Sequence, residues 1–73
     1  LDLNIISKLN PTVEITHVRA AIEFGIQRER EAKEFYKRQY DEVKDDNIRD
    51  VFKFLITEET NHESLLSDEL RKL

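Results

Sequence analysis

From Thr16 onward, apolar residues return every three or four positions, the spacing that places them on one face of an α-helix. Alternating steps of four and three trace the inward stripe Val18, Ile22, Gly25, Glu29, Ala32, Tyr36, Gln39 or Tyr40, and Val43. The spacing predicts a first helix from Thr16 to Lys44. The β-branched stretch Thr12, Val13, Ile15 and Thr16 leaves its start loose by several residues. Asp45-Asp46-Asn47 reads as a turn and N-cap, and a second helix is expected from Ile48 to Lys72. Its stripe is Ile48, Phe52, Leu55, Glu59, His62, Leu66 and Leu70. Asp50 near its start and Arg71 and Lys72 in its last turn suit the helix dipole. A connection this short makes the two helices antiparallel neighbours. The expected fold class is therefore all-α, an antiparallel helical hairpin over residues 16–73. Residues 1–15 form a separate N-terminal segment, in which Leu1, Leu3, Ile5, Ile6 and Leu9 fit a helical face or a short strand equally before Asn10-Pro11 interrupts.

The chain has 73 residues, and one this short buries only about 60% of the surface its unfolded form exposes. It calls for a partner chain, a metal or unusually good helix packing. Hydrophobic and charged residues are 38% each, with one Gly and one Pro, which suits long amphipathic helices rather than sheets. The absence of cysteine excludes a disulfide framework, a zinc finger, a rubredoxin-type iron site and a thiol nucleophile. A net charge of −4 argues against nucleic acid or an anionic membrane as partner. No apolar run approaches the roughly 18 residues of a membrane span, and no signal-peptide layout is present, so a cytoplasmic location is expected. The chain opens on Leu1 and lacks methionine, which raises the expectation of a trimmed or incomplete N-terminus.

Two stripes that should be apolar are interrupted at one level. In a hairpin turning near position 45, residues share a height when their numbers total about 91. Glu29 and His62 meet that condition, and Glu59 lies one turn from His62 on the same face. An ionised carboxylate in a low-dielectric seam costs several kcal/mol unless a cation accompanies it. Two hairpins packed about a two-fold axis would assemble four carboxylates and two imidazoles, a match for two divalent cations. Oxygen-rich sites with some imidazole suit Fe(II) or Mn(II), and Zn(II) fits the same cage. Glu14-Ile15-Thr16-His17 repeats the Glu-x-x-His spacing, but its antiparallel partners would fall beyond the chain end. Glu14 and His17 therefore read as surface or cap residues. Arg28, Arg30, Lys33, Lys37, Lys53 and Glu58 fall off the stripes and read as solvated surface. Tyr36, two turns from Glu29, could hydrogen-bond a ligand carboxylate or simply pack. Gly25 on the stripe signals close helix approach or room above the metals.

Gly25-Ile26-Gln27-Arg28-Glu29-Arg30-Glu31-Ala32-Lys33-Glu34-Phe35-Tyr36 resembles the Glu-x-x-Ala-x-x-Phe-Tyr helix of rubrerythrin-like proteins in the ferritin-like superfamily. Phe52-x-x-Leu55-x-x-Glu58-Glu59-x-x-His62 resembles their Glu-Glu-x-x-His helix. The resemblance implies Glu29, Glu59 and His62 as ligands, with Glu59 as the bridge. It also implies redox chemistry of Fe(II) pairs with dioxygen or hydrogen peroxide. Such domains usually have four helices in one chain. A two-helix chain is instead similar to encapsulated ferritins, whose subunits build the di-iron centre across a dimer interface.

The expected function is accordingly a non-haem di-iron protein, a homodimer or higher homo-oligomer forming a ferritin-like four-helix bundle with two Fe per dimer. It would oxidise Fe(II) with dioxygen or peroxide, with no catalytic residues beyond the metal ligands and with an external electron donor in the peroxidase case. The alternative is a non-catalytic helical oligomerisation or targeting module whose polar stripe residues set register. A longer chain that completes the site intramolecularly is a third arrangement.

Overall fold

The computed structural model of the chain describes residues 12–73; the Leu1 to Asn10 segment lies outside them. Two helices, α1 (Thr12–Glu42) and α2 (Asp46–Arg71), form a hairpin about 52 Å long. Helix α1 begins four residues before the expected Thr16. The β-branched run does not delay it, because intrinsic propensity differences of a few tenths of a kcal/mol per residue are small beside the cost of interrupting a continuous hydrogen-bonded helix. Glu14 falls in the first turn, where a carboxylate suits the helix dipole.

The turn is as short as the Asp-Asp-Asn cluster suggested but lies two residues earlier. Asp45, with extended backbone, is the N-cap of α2, and its carboxylate accepts the backbone N–H of Ile48 at 3.0 Å. That assignment draws Asp46 and Asn47 into the helix and ends α1 at Glu42 instead of Lys44, leaving residues 43–45 as the connection. Asp46, rather than Asp50, is the first-turn carboxylate. Arg71 closes the last turn and Lys72 is the C-cap.

The apolar seam is concentrated away from the turn. Among the described residues the buried hydrophobics are Ile22 and Ile26, each 8% exposed, with Val18, Leu66, Leu70 and Leu73 packed around them. Ile26 was not on the expected stripe. The helices are close enough for both the i+3 residue Gly25 and the i+4 residue Ile26 to face α2. A Cβ on Gly25 would sit 3.2 Å from Leu66 Cδ1, so the glycine serves close approach. Nearer the turn, the Tyr36 and Phe52 rings lie 6.3 Å apart, and the Arg49 guanidinium stacks 4.2 Å over Tyr40. Ile48, expected inside, is exposed, because it lies in the first turn of α2 at the end of the hairpin.

The two flanks of the hairpin differ. On one, Arg30 donates to Glu63 at 2.9 Å and Lys33 lies 3.7 Å from the same carboxylate. Helical periodicity of 3.6 places Phe24 and Phe35, eleven residues apart, on the side of α1 turned away from both Arg30 and the buried Ile22. It does the same for Val51, Phe54 and Leu65 on α2. All five are exposed. The ion pairs show which flanks of α1 and α2 share a side, and all five apolar residues lie away from it, leaving an open apolar face.

Candidate metal centre

Between the isoleucine cluster and the aromatic pair, the seam turns polar. Glu29 enters from α1, one turn below Ile26. Glu59 and His62 enter from α2, where a spacing of three puts them on one face. Their ligand atoms all lie within 4.8 Å of one another. His62 Nδ1 is 3.6 Å from Glu29 Oε2 and 3.8 Å from Glu59 Oε2. These separations exceed a hydrogen bond. Ligand atoms that each lie about 2.1 Å from a shared ion are separated by roughly 3 to 4 Å. His62 Nε2 turns toward Glu58, whose carboxylate is 3.9 Å away.

Burial grades across the cluster. The side chains of Glu59, Glu29 and His62 are 16%, 24% and 48% exposed. His62 therefore faces outward, on the flank that carries Phe54 and Leu65, rather than being enclosed like an apolar stripe residue. Glu29 Oε2 is buried and has no hydrogen-bond partner. A buried polar atom is normally satisfied, so an orphaned carboxylate oxygen beside a second carboxylate and an imidazole fits a cation. The donor set, two carboxylates and one imidazole, suits Fe(II) or Mn(II) and accommodates Zn(II).

All three residues singled out as ligands from the sequence are thus brought together. Glu14 and His17 are exposed and belong to no such cluster among the described residues. Tyr36 packs its ring against Phe35 and Phe52, and no hydrogen bond links its hydroxyl to Glu29, whose Oε2 has no hydrogen-bond partner. Two residues assigned to solvated surface are not simply that. Lys33 is only 19% exposed in its side chain and faces Glu63, and Glu58 is half-buried beside His62. The partner of Arg30, Glu63, is not legible from the height relation, which pairs Glu63 with Arg28 instead; only the structure joins it to Arg30.

A family model described as Rubrerythrin matches residues 5–70, nearly the whole chain. Neither the curated proteins nor the solved structures give a match.

Proposed function

The chain belongs to the rubrerythrin family, and from that premise we propose that it holds a di-iron centre between two copies of itself and oxidises Fe(II) with dioxygen or hydrogen peroxide. The observation that carries this reading is the buried, unpartnered Oε2 of Glu29 beside Glu59 and His62. Three ligands are too few for a pair of irons. The cluster borders the open face, so a second hairpin seated on Phe24, Phe35, Phe54 and Leu65 would bring a second triplet against the first and bury the exposed edge of His62. Glu29 and Glu59 would then hold the irons through their carboxylates and His62 through an imidazole nitrogen. The bound irons supply paired one-electron steps for reducing dioxygen or peroxide. The chain itself orients three donors and limits water access, through Ile22, Leu55 and Leu66 on the hairpin and the partner across the face. With no cysteine pair of its own, any turnover that re-reduces the centre draws on an external electron donor.

Anaerobic Fe(II) titration, combined with sedimentation equilibrium, tests this. The expected result is two Fe(II) per dimer, with Glu59→Ala losing tight binding and Phe54→Glu giving a monomer that no longer binds stoichiometrically. Tight stoichiometric binding by Glu59→Ala, or by a monomer, would defeat the reading. The open apolar face also favours a non-catalytic oligomerisation module, and the melting temperature separates the two. A metal centre makes it rise with Fe(II) by mass action, whereas a module leaves it unchanged.

A further inference from the structure

At the ligand level, the seam contains the groups least able to hold two helices in register. Glu29 and Glu59 repel one another before any cation arrives. The isoleucine cluster lies above that level and the Tyr36–Phe52 pair below. On the flank away from the open face, however, the neighbours of the ligands themselves are joined. Arg30, next to Glu29, donates from Nε to Glu63 Oε1 at 2.9 Å, and Glu63 is next to His62. Lys33, one turn along α1, approaches the other oxygen of Glu63 at 3.7 Å. One carboxylate of α2 is therefore gripped by cations from two successive turns of α1, so sliding either helix along its axis breaks at least one contact. Lys33 and Glu63 are 19% and 21% exposed in their side chains, which shields this pair from solvent better than an ordinary surface ion pair.

We infer that Arg30, Lys33 and Glu63 form a register clamp that sets the height of Glu29 against Glu59 and His62, making them positioning residues for the metal centre. The inference rests on the metal-binding reading above. It predicts an effect opposite in sign to simple electrostatics. Removing positive charge near a cation site should tighten metal binding if charge alone matters, and should weaken it if register matters.

Co(II) is the probe, added to the full chain and followed by its visible ligand-field absorption as well as by affinity. Arg30→Gln/Lys33→Gln should bind Co(II) about tenfold more weakly than the wild type, the scale seen when residues that orient ligands are lost. Its absorption bands should be weaker at saturation, because the donors no longer meet at one height. Arg30→Glu/Lys33→Glu/Glu63→Arg carries the same net charge as that double variant but rebuilds the grip with reversed sign. It should recover most of the affinity and the wild-type spectrum. Binding by the double variant as tight as wild type or tighter, or a folded triple variant that binds no better than the double, would overturn the clamp. If wild type itself takes up no Co(II), the metal-centre reading fails first and the clamp falls with it. Circular dichroism establishes that each variant is helical before its affinity is compared.

Discussion

The same two helices meet twice within a few turns, under opposite chemistry. At Ile22, Ile26, Leu66 and Leu70 the seam is apolar and tight enough that Gly25 admits Leu66. One turn below Ile26, at Glu29, Glu59 and His62, it is charged, partly open and contains an unsatisfied carboxylate oxygen. The upper level stabilises the hairpin by removing apolar area from water. The lower one buries little apolar area and leaves the Oε2 of Glu29 without a partner. A hairpin in which Ile22 and Ile26 are the buried hydrophobics among the described residues could readily use more apolar contact there. That the position is given to carboxylates and imidazole places the division between fold and function along a single seam.

The comparison breaks most completely at the apolar level. Ile26→Ala should cost about 2–4 kcal/mol through lost burial and residual cavity, read as a lower denaturation midpoint of the metal-free protein. At the polar level the largest effect should come from metal. Fe(II) at about 100 times its dissociation constant should raise stability by about 2.7 kcal/mol in wild type, and by nothing in Glu29→Ala. Calorimetric melts with and without the ion measure it, and an equal shift in both proteins would remove Glu29 from the site. Making the two levels alike sharpens the contrast further. Glu29→Leu/Glu59→Leu should abolish metal binding while leaving the apo-protein as stable or more stable by about 1–2 kcal/mol, since buried charges can often be replaced by apolar groups without loss. Urea denaturation checks it, and a large destabilisation would mean that the carboxylates serve the fold. The smallest effect is expected for Gly25→Ala. The helix-propensity gain of about 1 kcal/mol is offset by the shift required of Leu66, so the melting point should barely move.

Much of this arrangement could be read from the chain. The two helices, their antiparallel relation and the meeting of Glu29 with Glu59 and His62 follow from period and height alone, because a short connection leaves little freedom in register. Boundaries were less legible. Three consecutive cap-forming residues, Asp45, Asp46 and Asn47, compete for one role, and only the backbone of the turn selects Asp45. Lys33 and Glu63 are not legible as inter-helix partners, because a wheel divides residues into inward and outward, whereas a two-helix seam has flanks where long charged side chains are half-buried.

What the sequence determined by itself is the periodicity, the polar interruption of the stripes and hence the donor set, all local properties of residue order. Only tertiary structure decided how closely the helices approach at Gly25, which oxygen of Glu29 is left without a partner, and which flank is held by ions and which lies open. Those depend on the rotation of each helix about its own axis. That rotation is set by the sum of contacts along the whole seam rather than by any residue in it.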